Sequence, residues 1–412
     1  MRLRLTIGVG AALCALVAGS LAAGGAAAPA TRQATTITLS GWASSPAETD
    51  LLKQTIAGFE AANPSIKVNY APINGDYPAA MLAKFAARTP PDVFYVDSSV
   101  VPTWEQQGVL EPLDSYIKQT KFNLKPFYPK LLDAFRSKGK IYGLPKDWSP
   151  LALEYNKAMF QKAGIKSAPT NWAQLTQAAI KLKKSGAVGG GKPLCLAPDW
   201  ARLLAFVYQN KGSFMNSSLT RMTLTSPATV AAVNFYVGLV KQGLAGQPSD
   251  LGVGWCGEAL GKQKAGIIFE GNWLVPYMHE TFPSVGYKIA PMVQNKTGGN
   301  LAFTVSYSMA RDSGHKAEAW RLISYLTGKP GMRIWTSKGL ALPSRSDVTP
   351  LGGRKAFLSQ AKYARAWQFA PGFDKVITTA GNELTAVMTG KEPVQAMLSK
   401  IQSAGNDALK GG

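Results

Sequence analysis

Hydrophobic and polar positions in the first part of the mature chain follow two different periodicities. Alternating β-forming residues over 36–42 predict a strand, and residues 66–70 alternate in the same way. Between them, apolar residues over 46–63 recur at helical spacing, and Ser45 and Glu48 have the spacing of a capping box at the helix start. A strand, a helix and a strand within roughly 35 residues form a βαβ unit with parallel strands, so the pattern predicts an α/β fold.

The alternation of strands and helices continues along the rest of the chain. Further strands are predicted at 93–96 and 265–269, and further helices at 171–184, 227–242, 316–327 and 391–408. The sequence contains no internal repeat and no long linker rich in proline and serine. With 412 residues, the chain is long enough for two or three domains. Because no long linker is present, the chain must pass between these domains through short crossovers.

Residues 1–30 have the composition of a secretory signal peptide, with a basic start, an apolar stretch and small residues before an expected cleavage after Ala30. A membrane anchor is the alternative, but residues 19–30 are rich in glycine and alanine, which weakens the apolar run. Cys14 is preceded by Leu13, where lipid attachment requires a small residue. We therefore expect a periplasmic or secreted protein that is not lipid-anchored.

Two cysteines, Cys195 and Cys256, remain after removal of the signal peptide. In an oxidising compartment such a pair favours a disulfide, and two separate buried thiols are the alternative. A bridge closing a loop of about sixty residues would stabilise the fold by roughly 3–4 kcal/mol in the chain-entropy model.

Composition excludes several classes of protein. Apolar residues make up 46% of the chain and charged residues 17%, which is typical of a globular protein. Lysine and arginine (45) outnumber aspartate and glutamate (24), giving a formal charge of +21. These basic residues are mostly spaced singly, as on a solvated surface, so no nucleic-acid partner is expected. The only histidines, His279 and His315, have no neighbouring cysteine or carboxylate cluster, so neither a metal nor a cofactor is expected.

Several segments, in order along the mature chain, resemble the family of extracellular solute-binding proteins that deliver sugars to ABC importers, typified by maltose-binding protein. The segments that carry the resemblance are FEAANPSIKVNY at 59–70, TPPDVFYVDSS at 89–99, GVLEPLDSYI at 108–117, GKIYGLPKDWSPLALEYNKAMFQKAGI at 139–165, PTNWAQL at 169–175, IIFEGNW at 267–273, KAEAWRLISYLTG at 316–328 and the GxxxPSR stretch at 339–345.

The resemblance implies a type II periplasmic binding protein fold, in which two α/β lobes are joined by three hinge crossovers around a central ligand cleft. Lobe one would comprise 31–145 and 292–340, and lobe two 146–291 and 341–412. The crossovers are expected near Leu144-Pro145, Ala290-Pro291 and Leu342-Pro343. Proline favours extended connectors outside helices because its φ is fixed and it has no backbone N–H.

Candidate ligand contacts begin at the ends of the first strands. A sugar presents apolar C–H faces and a rim of hydroxyl groups, so its site needs aromatic platforms beside carboxylates and hydroxyls. Trp42 and Ser44 follow the first predicted strand, and Asp97 ends a later one. Ligands of α/β folds bind at this carboxyl-end edge of the sheet, so we predict all three as contacts. Capping of the following segment is the alternative for Asp97.

The hinge and lobe two supply further candidates. Asp147, Trp148 and Ser149 follow the first expected crossover directly, where a side chain can reach the cleft. The resemblance places an aromatic stacking residue at Asn272-Trp273, and Trp273 is the strongest single candidate.

Three more aromatic residues complete the predicted site. Trp200 and Trp255 lie in the segments around the two cysteines, which a disulfide would bring together near one edge of the cleft. Burial in the core is the alternative for both. Tyr307 is expected to contribute from the segment that returns to lobe one. Tryptophans at helical positions are instead predicted to pack in the core, namely Trp104, Trp172, Trp320 and Trp335.

The function implied by the resemblance is capture of a sugar, of two or more units, by a monomeric, non-catalytic protein that hands it to the permease subunits of an ABC transporter. A secreted carbohydrate-active hydrolase is the first alternative, since Asp97, Asp147 and Glu270 could serve as its carboxylates. The second alternative keeps the fold and changes the ligand to a polyamine, a phosphate ester or another solute.

Overall fold

The computed structural model describes residues 34–42, 46–352, 354–367, 370 and 372–411, with residues 374, 375 and 411 described through their backbone only. The predicted signal peptide, its cleavage site and Cys14 lie outside the described residues. The strands are β1 Thr35–Ser40, β2 Ile66–Tyr70, β3 Val93–Asp97, β4 Arg136–Ser137, β5 Lys140–Ile141, β6 Leu144–Pro150, β7 Ala152–Asn156, β8 Lys192–Cys195, β9 Ala245–Gly246, β10 Ala265–Glu270, β11 Tyr287–Ala290, β12 Asn300–Met309 and β13 Ala364–Ala366. The helices are α1 Pro46–Ala62, α2 Tyr77–Ala86, α3 Val101–Gln106, α4 Asp114–Gln119, α5 Pro129–Asp133, α6 Lys157–Lys162, α7 Trp172–Lys184, α8 Trp200–Gln209, α9 Pro227–Lys241, α10 Cys256–Gly261, α11 Leu274–Thr281, α12 Lys316–Leu326, α13 Lys329–Trp335, α14 Lys355–Leu358, α15 Asp374–Met388 and α16 Val394–Gly411, with a 3-10 turn at Ser249–Leu251.

The first sheet contains the βαβ unit predicted at the start of the mature chain. Strand β1 pairs in parallel with β2 on one side and with β3 on the other, and α1 connects β1 to β2. The strand order is β13-β12-β3-β1-β2, and β6 also pairs with β12. Because β12 runs antiparallel to both β3 and β6, the sheet is mixed.

The second sheet has the order β11-β7-β10-β8-β9. Its central strand β10, predicted from the apolar run at 265–269, is fully buried, pairs in parallel with β8 and runs antiparallel to β7. Helix α7 packs beside this sheet and begins after Asn171, whose side-chain oxygen accepts a hydrogen bond from the Gln174 N–H at 2.9 Å. An Asn cap of this kind satisfies a backbone N–H that the helix leaves unpaired.

The chain passes between the two sheets within a single residue. Strand β6 belongs to the first sheet and β7 to the second, and only Leu151 separates them. The side chain of Asn300 at the start of β12 accepts from the Leu151 N–H at 3.1 Å and donates to the Leu151 carbonyl at 2.8 Å. The chain returns from β11 to β12 further on, and the third connection passes Leu342, which pairs with Trp148.

The lobe boundaries themselves stay a prediction. Strand β13 falls in the range predicted for lobe two, yet it pairs with β12 of the first sheet. The half of the molecule around the first sheet is called lobe one, and the half around the second sheet is called lobe two.

Each lobe has its own hydrophobic core. The core of lobe one packs β1 and β3 against α1 and α12, with Phe59, Phe94 and Trp320 buried in it. The core of lobe two includes Trp172, Phe206 and Phe269 and is closed on one side by residues of α15 and α16. Burial of Trp104, Trp172 and Trp320 agrees with their prediction as packing residues.

The predicted disulfide between Cys195 and Cys256 is confirmed, with an S–S distance of 2.06 Å and a Cα–Cα distance of 5.4 Å. It joins the end of β8 to the first residue of α10. Both cysteines are buried in a small apolar cluster with Leu251, Leu260 and Met278.

Candidate ligand-binding cleft

A cavity of about 670 Å³ is lined by residues from both lobes, a volume within the range of small-molecule sites. Its lining comprises Trp42, Pro46, Glu48, Asp97, Lys146, Asp147, Ser149, Arg202, Trp255, Trp273, Pro276, Tyr277, Glu280, Thr281, Phe303, Val305, Trp335, Leu340 and Ala341. A second cavity of about 480 Å³ shares Trp42, Asp97 and Phe303 with the first. The cleft therefore continues past these three residues towards Tyr77 and Trp367.

Six of the residues proposed from the sequence lie in the lining of the larger cavity. They are Trp42, Asp97, Asp147, Ser149, Trp255 and Trp273. The structure thus brings together residues that are more than 200 positions apart in the sequence. Their contact with a ligand stays a prediction.

Four other proposed residues are buried away from the cavity lining. Trp148 donates its indole N–H to the Pro343 carbonyl at 3.2 Å, and Trp200 donates to the Ala380 carbonyl at 2.8 Å, so both polar groups are satisfied inside the protein. Tyr307 packs edge to face with Tyr95 in the core of lobe one. For these aromatic residues the packing role replaces the predicted cleft position.

The fourth buried residue, Asn272, contacts the site through its backbone. It is fully buried, and its N–H donates to the Ser149 hydroxyl at 2.8 Å. Asn272 thereby holds in place a residue of the lining. Ser44, the remaining candidate, lies outside the described residues.

Trp273 is fixed in the cleft by three neighbours. Its indole N–H donates to a carboxylate oxygen of Glu270 at 3.0 Å, and its ring packs edge to face on Phe303 at a centroid distance of 5.3 Å. The ring also lies so close to Gly271 that a Cβ there would overlap it. Glycine at 271 is therefore required for the close approach of the indole.

Trp255 lies in the lining directly before the disulfide-bonded Cys256. Its ring packs edge to face on Tyr277 at 4.8 Å and covers Gly257, where a Cβ would again overlap the indole. Because α10 begins at Cys256, the bridge to Cys195 fixes the helix end beside which this indole lies.

On the lobe-one side, Trp42 presents an aromatic surface to both cavities. It makes edge-to-face contacts with Tyr77 and Tyr95, each with a centroid distance of 5.2 Å. Asp97, at the end of β3, lies beside it in both linings. Burial raises the pKa of Asp97, and hydrogen bonds from the Ser99 N–H and hydroxyl to its Oδ1 oppose this shift in part.

Lys146 and Asp147 form the charged part of the hinge strand. The pairing of β6 with β12 shifts in register at this point, so that Val305 pairs with Asp147 and Ser306 with Pro145, leaving Lys146 as the extra residue. A bulge of this kind re-aims side chains, and here both charged residues line the cavity.

Two carboxylates and an aromatic ring lie close to the Lys146 ammonium. Its ammonium lies 2.6 Å from Asp147 and 3.8 Å from Glu48, and it is 4.0 Å from the ring centroid of Trp335. The Trp335 indole N–H in turn donates to Asp147 Oδ2 at 2.7 Å. Trp335 is buried in the core of lobe one, as predicted from its helical position, and it also supports the floor of the cleft.

Arg202 and Glu270 form a second compensated pair. Arg202 Nε and Nη2 donate to the two carboxylate oxygens of Glu270 at 3.2 and 2.5 Å, and Nη1 contacts Asp199. Burial lowers the pKa of Arg202, but the two carboxylates outweigh it and the net shift is upward. Behind this pair, Glu154 accepts the Glu270 N–H at 3.0 Å, and burial together with the Glu270 charge raises the pKa of Glu154 well above its usual value.

The described part of the chain contains no group of three or more His, Cys, Asp or Glu side chains arranged to hold a metal ion. Among the same residues, no helix combines the length and the apolar character needed to cross a membrane.

A model of the bacterial extracellular solute-binding protein family matches residues 43–333. The chain belongs to this family. Its sequence is 27% identical over 375 residues to a protein of Brucella abortus (strain 2308) whose name assigns it binding but no ligand; the match covers 85% of this chain and 88% of that protein.

Two solved structures share the fold of this solute-binding protein. The ABC substrate-binding protein of Listeria monocytogenes in complex with cycloalternan superposes with a TM-score of 0.84 at 23% identity, covering 92% of this chain and all (100%) of that one. UgpB of Mycobacterium tuberculosis in complex with glycerophosphocholine gives a TM-score of 0.80 at 18% identity, covering 90% and 98%. The two-lobe type II fold predicted from the sequence is confirmed.

Several lining residues of this solute-binding protein were not identified from its sequence. The main ones are Glu48, Lys146, Arg202, Phe303 and Trp335. The sequence favours a capping role for Glu48 over ligand contact, and the bulge that turns Lys146 into the cleft has no clear sequence signal. Arg202 could have been suspected, since it lies one turn into α8 after the Asp199 cap.

Proposed function

We propose that this member of the family captures a neutral sugar of two or more units in the cleft between its lobes and delivers it to the permease subunits of an ABC transporter. The observation that carries this proposal is the composition of the lining. Trp42, Trp255 and Trp273 supply aromatic surface, and Asp97 and Asp147 supply hydroxyl-binding carboxylates. This combination suits a ligand with apolar C–H faces and a polar rim.

The charge of the lining favours a neutral ligand over a phosphate ester. Four carboxylates, Glu48, Asp97, Asp147 and Glu280, face two cations, Lys146 and Arg202. Both cations are already paired with carboxylates inside the protein. An anionic ligand would meet a net negative lining, and such like-charge contacts weaken binding. Cycloalternan, the carbohydrate bound by the Listeria protein, is the more suitable precedent of the two neighbours.

The protein acts without chemistry on its ligand in this proposal. The hydrolase alternative would need an acid and a base among its carboxylates. Glu270 is fully buried and bound to Arg202 and Trp273, and Asp147 is bound to Lys146 and Trp335. These arrangements suit fixed hydrogen-bond acceptors. The protein would work as a monomer, periplasmic or secreted and without a lipid anchor, with Trp42, Asp97, Asp147, Ser149, Trp255 and Trp273 as ligand contacts.

The experiment that tests this function is calorimetric titration of residues 31–412, unfolded and refolded with the disulfide intact to remove carried ligand. The titrants are maltose, trehalose, sucrose, maltotriose and longer glucans, with glycerol 3-phosphate, glycerophosphocholine and spermidine as non-sugar probes. We expect one-to-one binding to one class of sugar and no consumption of that sugar on prolonged incubation. Binding only to a phosphate ester or to the polyamine would contradict the sugar proposal, and turnover of a sugar would contradict the non-catalytic one.

A further inference from the structure

Glu270 connects Arg202 and Trp273, two residues of the cavity lining that lie far apart in the sequence. It ends β10, is fully buried, and its two carboxylate oxygens accept hydrogen bonds from Arg202 of α8. One of these oxygens, Oε2, also accepts the indole N–H of Trp273. Both oxygens of a carboxylate accept hydrogen bonds, whereas a neutral amide of the same size has one acceptor oxygen and a nitrogen that only donates, so it cannot accept at both positions.

Arg202 retains hydrogen-bonding capacity on the side of the cavity. A guanidinium has five N–H groups, and three of them are used by Glu270 and Asp199. The other two make no hydrogen bond to the residues that the structure describes. The side chain is 19% exposed and belongs to the cavity lining, as does Trp273.

We propose that Arg202 is a ligand-binding residue, which donates its two remaining N–H groups to a hydroxyl oxygen of the sugar that stacks on Trp273, while Glu270 positions both side chains. This inference rests on the proposed function, because it needs a hydroxylated ligand. It adds a specific donor to a lining that otherwise consists mainly of carboxylates and aromatic rings.

The surroundings of Arg202 suit a hydroxyl group better than an anion. Asp199 and Glu270 carry two negative charges against the single positive charge of the guanidinium. The pair of carboxylates fixes the plane of the guanidinium, so little conformational freedom is lost when a ligand binds. Arg202 then acts as an oriented donor whose charge is already compensated.

The test uses the mature chain with three substitutions, Arg202→Met, Arg202→Lys and Glu270→Gln, and the double variant Arg202→Met/Glu270→Gln. Each is titrated with maltose, trehalose, sucrose and maltotriose, and the Kd is compared for every sugar that the unsubstituted protein binds. Arg345→Met is the matched control, because Arg345 also makes a two-point pair with a carboxylate, Asp347, outside the cavity lining.

We expect Arg202→Met to weaken sugar binding by about 10- to 100-fold, the usual effect of removing a hydrogen bond from a charged donor. The Kd of Arg202→Lys should fall between that of the unsubstituted protein and that of Arg202→Met, because a lysine keeps the charge and loses the planar fork. Glu270→Gln should weaken binding about as much as Arg202→Met does. The Kd of the double variant should lie within about twofold of the Kd of Arg202→Met, because Arg202 and Glu270 act as one unit. Arg345→Met should lower the melting temperature without changing Kd.

A measurement without ligand tests the positioning role of Glu270 separately. In protein labelled with ¹⁵N-tryptophan, the indole signal of Trp273 is assigned through its loss in Trp273→Phe. We expect this signal to shift and its exchange with water to accelerate in Glu270→Gln, and to stay unchanged in Arg345→Met.

The possible failures can be told apart. An unchanged Kd in Arg202→Met, in a protein that binds sugar, overturns the role of Arg202 and leaves the proposed function standing. An unchanged Trp273 indole signal in Glu270→Gln overturns the positioning role. If the unsubstituted, folded protein binds none of these four sugars and none of the longer glucans, the proposed function fails and the role of Arg202 as a donor to sugar hydroxyls fails with it.

Discussion

Trp335 donates its indole N–H to Asp147 Oδ2 at 2.7 Å, and the same carboxylate oxygen lies 2.6 Å from the Lys146 ammonium. A residue at the end of α13 in lobe one is thereby bound to the hinge strand β6 at the floor of the cleft. Asp147 has two donors within the protein before any ligand arrives, so its orientation is fixed in advance.

The first prediction concerns this hydrogen bond. Trp335→Phe keeps an aromatic ring below Lys146 and removes the indole N–H. We expect ligand affinity to fall by roughly three- to tenfold, less than for a lost ligand contact, because this hydrogen bond orients Asp147 and does not itself reach the ligand. Isothermal titration with the sugar found for the unsubstituted protein measures the effect. An unchanged Kd would show that Lys146 alone is sufficient to orient Asp147.

The second prediction separates a cleft tryptophan from a core tryptophan. Trp273→Ala should weaken binding at least tenfold, about 1.4 kcal/mol or more, and lower the unfolding free energy by less than Trp200→Ala does, because its ring is partly exposed. Trp200→Ala should instead lower the unfolding free energy by about 3–5 kcal/mol, since Trp200 is fully buried. Denaturant unfolding and titration of both variants test the contrast. A reversed pattern would place Trp200 in the site and Trp273 in the core.

The third prediction concerns the close approach of Trp255 to Gly257. A methyl group at 257 would overlap the indole ring, so Gly257→Ala should displace Trp255 and weaken binding by about three- to thirtyfold through loss of preorganisation. Gly190→Ala is the matched control, because no atom lies within 4 Å of its added Cβ. Titration and near-UV circular dichroism follow affinity and tryptophan packing. Equal behaviour of the two variants would contradict the role of Gly257.

The fourth prediction concerns pH. Burial raises the pKa of Asp97 above its ordinary value of 3.8, so the folded protein holds this proton more tightly than the unfolded chain does. Between the ordinary and the raised pKa the folded state binds more protons, and the contribution of Asp97 to stability therefore falls as the pH rises through this window. Asp97→Asn should consequently be as stable as the unsubstituted protein in acid, and at least as stable at pH 7.

The same substitution should weaken ligand binding at pH 7, because an amide is a poorer acceptor of hydroxyl groups than a carboxylate. In the unsubstituted protein, affinity should begin to fall on acidification at a higher pH than an ordinary aspartate would give, and Asp97→Asn should flatten this dependence. Urea unfolding and titrations between pH 7 and pH 4 provide the test. A loss of stability at pH 7 in Asp97→Asn would indicate that the carboxylate stabilises the fold.

The fold followed from the sequence wherever strands and helices alternate with clear periodicity, as in β1, α1 and β2. The positions of Trp42 and Asp97 followed from the same pattern, since residues at the carboxyl ends of neighbouring parallel strands meet at one edge of a sheet. Cys195 and Cys256 were paired because no other cysteine remains in the mature chain.

Side-chain direction within the hinge strand could not be obtained in this way. The sequence predicts a crossover near Leu144-Pro145, but strand β6 continues to Pro150. Side chains alternate along a strand, so Asp147 and Ser149 point into the cavity and Trp148 points away from it. Lys146 joins the cavity side only because of the bulge opposite Val305 and Ser306. Arg202 meets Glu270 across 68 positions of sequence, which depends on how α8 packs against β10.

The hydrogen bonds between Asn300 and Leu151 have a mechanical consequence. Only Leu151 separates the strand of one sheet from the strand of the other. The Asn300 side chain makes the two backbone hydrogen bonds that a neighbouring strand would otherwise make at Leu151. Rotation of the sheets against each other at this crossing is therefore confined to the two backbone torsion angles of Leu151. This point behaves as a short pivot, at which the sheets can turn but cannot slide past each other.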